Sequence, residues 1–203
     1  MIKSLRIQNF KGWKDTGTIE FSPITLFLGT NSSGKSSIGQ FLMLLKQSCQ
    51  SVDRQTVLFL GDTDSVVELG GPIDILYMHD PNNLLDFEYQ WTLPKRISLT
   101  TSEDGGSISE SSIDSLSFHG QVGVFGKDNS YLEVEKMEYT AYQNNDSLIS
   151  VSLDRVKKAS SARAYKAASD KKLVRTKGRP WELPTPYRFY GFPDEMLNYF
   201  KNA

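Results

Sequence analysis

The residues with the clearest chemical meaning form a glycine-rich loop near the start of the chain. The phosphate-binding pattern G-x-x-x-x-G-K-[S/T] is matched by Gly29, Thr30, Asn31, Ser32, Ser33, Gly34, Lys35 and Ser36, and Ser37 follows it. Gly29 and Gly34 let the backbone curl so that its N–H groups can face phosphate oxygens. Lys35 can reach the β- and γ-phosphates, and the Ser36 hydroxyl can ligate Mg²⁺. Nucleoside triphosphate binding is therefore the first hypothesis.

The segments on either side of this loop should position it. The apolar run at residues 24–28 predicts a buried strand that leads into the loop. After the loop, apolar side chains recur at helical spacing, at Ile38, Phe41, Leu42, Leu45 and Cys49. The pattern predicts a helix from Ser37 whose N-terminal N–H groups and dipole face the same anion. Because Cys49 falls on the apolar stripe, we expect its thiol to be buried and inert.

Composition limits the class of protein. The chain has 203 residues, 38% hydrophobic and 23% charged, which is typical of a soluble globular protein with one sizeable core. It contains no apolar stretch of membrane-spanning length, and residues 1–6 lack the apolar core of a signal peptide. We therefore expect a cytoplasmic protein that does not bind membranes. One cysteine excludes an internal disulfide, and two distant histidines argue against structural zinc.

The chain also shows a pattern of strands. Residues 2–8 and 18–21 alternate apolar and polar side chains, which predicts an antiparallel hairpin. Residues 85–93 alternate strongly, and weaker strand patterns follow and predict a β-meander, at residues 97–100, 116–125, 131–142 and 148–153. The polar, Gly/Ser-rich stretch 102–112 predicts a mobile loop between them.

The last fifty residues combine a basic segment with an aromatic one. Residues 155–179 hold ten Lys or Arg against one acid, Asp170, which favours a polyanionic partner over a neutral one. Sequence-independent contacts to DNA or RNA would come from Lys157, Lys158, Lys171 and Lys172. A solvated surface without a partner is the alternative. The aromatic residues between 181 and 192 are interpreted as core packing, followed by a final helix capped by Asp194.

A hydrolytic ATPase needs an acid in addition to the loop. Two apolar runs end in an aspartate, at Asp62 and Asp80, but neither aspartate is followed by a second acid. We interpret both as ordinary strand ends. The sequence also lacks an Leu-Ser-Gly-Gly signature. It therefore predicts a nucleotide-binding lobe that corresponds to half of an ATPase.

Three stretches carry a resemblance to a known family. Residues 2–12, 21–28 and the loop 29–37 resemble the N-terminal lobe of SMC/RecF/OLD-like ABC-class ATPases. Residues 68–80 and 189–194 resemble a bacterial subgroup of AAA/ABC-type ATPases that often lie in phage-defence operons. The resemblance implies an α/β fold, a P-loop lobe with an antiparallel β-subdomain, ATP and Mg²⁺ as ligands, and a head-to-tail homodimer or higher oligomer. It places Lys11 or Trp13 near the adenine and makes Gln90 a candidate Q-loop residue.

Together these patterns predict a P-loop lobe at residues 1–80, a β-meander at 81–154 and a basic, aromatic and helical segment at 155–203. The leading interpretation is a nucleotide-driven dimerisation switch. It would control a protein effector, such as a nuclease or toxin, or bind nucleic acid, in anti-phage defence or DNA repair. The alternatives are a P-loop small-molecule or nucleotide kinase and a nucleotide-bound scaffold without turnover.

Overall fold

An antiparallel β-sheet with one long helix on its face forms the framework. The computed structural model describes residues 1–53, 56–102, 108–156, 164–170, 182–186 and 188–202. The strands are β1 Ile2–Phe10, β2 Trp13–Asp15, β3 Ile19–Glu20, β4 Leu85–Ser102, β5 Ile108–Phe125, β6 Tyr131–Gln143, β7 Asp146–Arg155, β8 Tyr165–Ser169 and β9 Glu182–Leu183. The helices are α1 Lys35–Gln50 and α2 Asp194–Asn202.

The strands follow one another across the sheet in a simple order. Within the described residues the order is β2-β1-β4-β5-β6-β7-β8-β9, with β3 paired to β1, and every pairing is antiparallel. The predicted N-terminal hairpin and the β-meander are both confirmed. Tyr89 of β4 lies opposite Leu5 of β1, so the hairpin that precedes the phosphate loop and the meander form one sheet.

The hairpin between β4 and β5 is longer than the sequence indicates. The prediction of a loop over 102–112 is wrong at both ends, because Ser102 pairs with Ile108 and Thr100 with Glu110. Ladder hydrogen bonds between two neighbouring strands stabilise this polar stretch as strand, which a composition argument does not consider. Residues 103–107 lie outside the described residues.

Helix α1 anchors the core against the sheet. The Phe41 ring lies 5.2 Å from the rings of Phe10 on β1 and of Phe87 on β4, in edge-to-face geometry. Ile38 and Leu44, one turn to either side of Phe41, are also buried. The helix is predicted correctly, and its packing fixes the position of its N-terminus, where the phosphate loop ends.

The prediction that Cys49 is buried is wrong. Cys49 is exposed, and the buried positions in the last two turns of α1 are Gln47 and Ser48. These polar side chains bind the segment that follows the helix: Gln47 Nε2 donates to the Phe59 carbonyl at 2.8 Å, and Ser48 Oγ accepts from the Phe59 N–H at 2.8 Å. The buried face at this end of the helix is therefore polar, which apolar periodicity does not reveal.

The predicted buried strand before the phosphate loop is also wrong. Residues 24–28 form neither helix nor strand, and Ile24, Leu26 and Leu28 are 82%, 78% and 89% exposed. No strand among the described residues pairs with this segment. An apolar run becomes a buried strand only where neighbouring strands satisfy its backbone, and here none does so.

The runs that end at Asp62 and Asp80 are not strands either, which corrects the interpretation of these acids as strand ends. Val57 and Leu58 are buried at a bend in the chain, and a 3₁₀ turn, Tyr77–His79, precedes Asp80. Near the C-terminus Phe189 is buried against Phe87 and Phe118, as the core-packing interpretation predicts. Helix α2 begins at Asp194.

Within the described residues, neither helix has the length and hydropathy that a bilayer crossing requires.

Candidate functional site

The glycine-rich loop is curled by residues with left-handed backbone angles. Gly34 has φ of 84° and Ser32 has φ of 63°, and α1 begins at the next motif residue, Lys35. Alternation of left- and right-handed residues turns successive N–H groups toward one side of the chain. The first N–H groups of α1 have no partner within the helix and project from the same end. The loop and the helix terminus therefore present several backbone donors together.

The ammonium group of Lys35 lies across this loop. Nζ donates to the carbonyls of Gly29 and Thr30, at 2.9 and 2.5 Å, and lies 3.3 Å from the Ser33 hydroxyl. The cation thus lies against the loop backbone, and Lys35 lines the adjoining cavity. The role of Lys35 as the charge that meets phosphate stays a prediction.

A cavity of about 370 Å³ adjoins the loop. Gly29, Thr30, Ser33 and Lys35 form its polar wall, and an apolar wall is supplied by Trp13, Ile19, Phe27, Leu28 and Ile38, with Thr16 between them. No Asp or Glu occurs among these described lining residues. A pocket with a single cation and no carboxylate suits a polyanionic ligand with an apolar portion.

The remaining motif residues lie outside the lining of this pocket. Asn31 and Ser36 are exposed, and the Ser37 N–H donates to the Gly34 carbonyl at 3.0 Å. Ser36 stands in the first turn of α1 beside Lys35, where its hydroxyl could reach a metal ion held by phosphates. In the described part of the chain, no cluster of three His, Cys, Asp or Glu could hold a metal alone. A cation here would depend on Ser36 and on the ligand itself.

Trp13 and Lys11, expected near a base, have different surroundings. Trp13 lines the cavity, and its indole N–H donates to the Gly34 carbonyl at 3.0 Å. Lys11 does not line the cavity, and its ammonium donates to Gln40 Oε1 on α1 at 3.1 Å. The contact between Trp13 and the loop was missed by sequence reasoning, because no local pattern links residues 13 and 34.

The acids considered for hydrolysis lie elsewhere. Asp62 accepts from the Asp64 N–H at 3.1 Å and from the Ser65 hydroxyl at 2.7 Å, and Asp80 accepts from the Asn82 N–H at 2.9 Å. Both carboxylates close their own turns and do not line the cavity. Gln90 is a strand residue of β4 and also lies outside the cavity lining.

The basic segment is only partly described. Arg155 on β7 forms ion pairs with Glu133 at 2.6 Å and Glu135 at 3.4 Å, and its guanidinium lies 4.0 Å above the Phe125 ring. Arg155 is therefore engaged within the sheet, whereas Lys166 on β8 is exposed. The four lysines expected to contact nucleic acid, Lys157, Lys158, Lys171 and Lys172, lie outside the described residues.

A second cavity, of about 450 Å³, lies away from the motif. Its lining includes Val57, Leu58, Tyr131, Leu132 and Glu133, and no residue of the phosphate loop. Its polar lining residues are Thr56, Ser130, Tyr131, Glu133 and Thr185, and Glu133 is paired with Arg155. The glycine-rich motif lies at the smaller cavity beside Lys35.

Comparison with known proteins identifies a family for most of the chain. A protein-family model described as an AAA ATPase domain matches residues 1–180. A search of curated proteins found no match. The matched range contains the glycine-rich loop, the cavity beside it and the sheet as far as β8.

Proposed function

Because the chain belongs to the AAA ATPase domain family, we propose that residues 29–37 bind the triphosphate of ATP together with Mg²⁺. The observation that carries this proposal is the position of the Lys35 ammonium, held by the Gly29 and Thr30 carbonyls at the N-terminus of α1. The backbone donors and the helix dipole add to the same positive field. The apolar wall of the cavity, with Ile19, Phe27 and Ile38, is available to the nucleoside.

Replacement of Lys35 tests this proposal. Lys35→Ala removes the one cation among the described lining residues, and we expect ATP affinity to fall roughly tenfold to hundredfold, as for a lost charge-assisted contact. Lys46→Ala is the matched control, because Lys46 is an exposed lysine of the same helix about 16 Å further along its axis. Titration calorimetry measures both variants. Equal ATP affinities of Lys35→Ala and the wild type would reject the site.

The proposed ATPase is completed by a further lobe that supplies the missing acid and signature. Two observations support this part of the proposal. The cavity lining contains no carboxylate among its described residues, and the apolar side chains of Ile24, Leu26 and Leu28 next to it are exposed. An apolar face of this kind is typical of a contact surface rather than of a solvated one.

Without that lobe, the chain should bind ATP and hydrolyse it slowly, because the described lining has no carboxylate that could activate water. Phosphate release measured with saturating ATP and Mg²⁺ tests this expectation. Rapid turnover that is lost in Lys35→Ala would show that Asp62 or Asp80 reaches the nucleotide. A nucleotide-bound scaffold is the second candidate function, favoured by the same lack of lining carboxylates, and it predicts no turnover even with the completing lobe.

The biological role that we propose is a switch. ATP binding would bring copies of the chain together in a dimer or higher oligomer, and the closed state would act on a protein effector, such as a nuclease or toxin, or on nucleic acid, in anti-phage defence or DNA repair. Light scattering with and without ATP and Mg²⁺ tests the first step. A particle mass that increases only with nucleotide, and not in Lys35→Ala, supports the switch. A mass that is the same with and without nucleotide argues against it.

A further inference from the structure

The indole ring of Trp13 lies directly against the last glycine of the phosphate loop. Its Nε1–H donates to the Gly34 carbonyl at 3.0 Å. A Cβ atom placed on Gly34 would lie 2.6 Å from Nε1 and 3.0 Å from Cε2. Gly34 is thus required by its φ of 84° and also by the indole, because any side chain would push Trp13 away.

Trp13 is itself held by the sheet. It opens β2 and lies opposite Phe10 of β1 in an antiparallel pair. Its ring is half-buried and packs on the core cluster that contains Phe10 and Phe41. The position of the indole N–H is therefore set by the framework and not by the loop that it contacts.

Two donors hold the Gly34 carbonyl. One is the Trp13 indole and the other is the Ser37 N–H, at 3.0 Å, within the first turn of α1. In a planar trans peptide, the carbonyl and the N–H of the same group point in opposite directions. Fixing the Gly34 carbonyl therefore fixes the Lys35 N–H on the other side, where it is one of the unpartnered donors of the helix N-terminus.

We infer that Trp13 is a positioning residue that holds the Gly34–Lys35 peptide group in the orientation needed to bind phosphate. The inference rests on the proposed ATP site and deepens it. It gives the indole a role in phosphate binding rather than in contact with the base. The indole N–H is directed at the loop backbone, so its contribution concerns the polyphosphate chain. A base-stacking role would use only the ring face.

Tripolyphosphate, which has no base, separates the two roles. Trp13→Phe keeps an aromatic ring but removes the N–H, and we expect the affinities for tripolyphosphate and for ATP to fall by a similar factor, roughly threefold to tenfold. Trp91→Phe on β4 is the matched control and should leave both affinities unchanged, because Trp91 does not line the cavity. Calorimetry gives the affinities, and thermal unfolding confirms that each variant is folded.

Every outcome decides the inference. A Trp13→Phe protein with wild-type affinity for tripolyphosphate overturns it, and so does a loss that affects ATP alone, since that result would assign Trp13 to the base. If the wild type binds neither ligand, the proposed function itself is refuted. This result differs from a failure of the inference about Trp13, in which the wild type still binds.

A second measurement does not depend on how well Trp13→Phe folds. The chain contains three tryptophans, so Trp13 is the only tryptophan in a protein with Trp91→Phe and Trp181→Phe, and excitation at the red edge of the absorption band selects it over tyrosine. Tripolyphosphate should change its fluorescence in proportion to site occupancy, because the ligand acts on the peptide group that the indole holds. An unchanged emission at saturating ligand would overturn the inference.

Discussion

The guanidinium of Arg188 donates to the carbonyl of Cys49 at 2.6 Å, although the two residues are 139 positions apart. It also contacts the carbonyls of Ser48 at 3.3 Å and Ser51 at 2.5 Å. These carbonyls belong to the C-terminal end of α1, which has no basic residue in its own last turn. A residue of the C-terminal segment therefore caps the helix whose other end forms the phosphate loop.

Removal of this cap should destabilise the protein. For Arg188→Ala we expect the free energy of unfolding to fall by about 2 kcal/mol, because helix-terminal carbonyls lose a charged donor. Arg188 has φ of 58°, so Arg188→Gly removes the same contacts without placing alanine in a left-handed conformation, and it should be the milder change. Urea unfolding of both variants, with Lys127→Ala as an exposed control, measures the effect. Equal stability of Arg188→Ala and the wild type would contradict it.

The buried amide of Gln47 gives a prediction with a defined pH dependence. Its Nε2 donates to the carbonyls of Phe59 at 2.8 Å and Val67 at 3.1 Å. In Gln47→Glu the carboxylate cannot donate to either carbonyl, and burial raises its pKa. We expect the free energy of unfolding at pH 7 to fall by about 2 kcal/mol or more. Part of this stability should return as the pH falls through the raised pKa, because the carboxyl then gains a proton and can donate.

Gln50→Glu provides the control for this prediction, since Gln50 is exposed on the same helix. It should change stability little at either pH. A Gln47→Glu protein whose destabilisation is the same at pH 7 and pH 5 would contradict the assignment of Gln47 as a donor.

Ser36 should determine how far nucleotide binding depends on Mg²⁺. Ser36→Ala removes the hydroxyl that we assign to the metal, so ATP affinity should fall more in Mg²⁺ than in EDTA. Ser33→Ala offers a contrast, because the Ser33 hydroxyl contacts the Lys35 ammonium and is not assigned to the metal. Its effect should be similar in both buffers. Calorimetry in the two buffers distinguishes the variants, and equal losses for Ser36→Ala would reject its role.

The ion pair between His119 and Asp86 should make stability depend on pH. His119 Nε2 lies 3.1 Å from Asp86 Oδ1, and this hydrogen bond raises the pKa of His119 against the opposing effects of burial and Lys136. Burial raises the pKa of Asp86, but the hydrogen bonds from His119 and Gln121 outweigh it and lower that pKa. Glu88 also favours protonated His119.

The pKa of His119 in the folded state is above the unfolded value of about 6.5. Protonated His119 therefore stabilises the fold fully below the unfolded pKa, and this stabilisation is lost as the pH rises through the folded pKa. Asp86→Asn should therefore lower the pKa of His119 and destabilise the protein more at pH 6 than at pH 8. NMR titration of the imidazole signals, assigned with His79→Gln, measures the pKa. An unchanged His119 pKa in Asp86→Asn would refute the pairing.

Nucleic-acid binding by the basic segment can be tested through its salt dependence. If residues 155–179 neutralise several phosphates, affinity should fall steeply with salt, with a slope of about −0.9 per contact on duplex DNA. Replacing Lys157, Lys158, Lys171 and Lys172 by Gln should weaken binding and flatten that slope. The control replaces four exposed cations elsewhere, Lys46, Lys95, Arg96 and Lys127. Absence of salt-sensitive binding at low ionic strength, with ATP present, would leave the segment without this role.

Local patterns in the sequence predicted the elements that depend on neighbouring residues. The glycine and lysine spacing predicted the loop, apolar periodicity predicted α1, and alternation predicted the strands of the meander. These features follow from backbone geometry and from which face of one element is apolar, so a short stretch of sequence contains the necessary information. The Lys35 ammonium lies at the loop because it directly follows the glycine turn.

Tertiary structure decided what depends on residues that are distant in the chain. Residues 24–28 have a strand-like sequence but remain exposed, since no neighbouring strand in the described structure pairs with them. Cys49 is exposed because Gln47 and Ser48 turn the end of α1 toward the segment near Phe59. The contact of Trp13 with Gly34 arises from the pairing of β2 with β1 and the packing of α1. A pattern within one element cannot encode such contacts, because each requires that two separately folded segments come together.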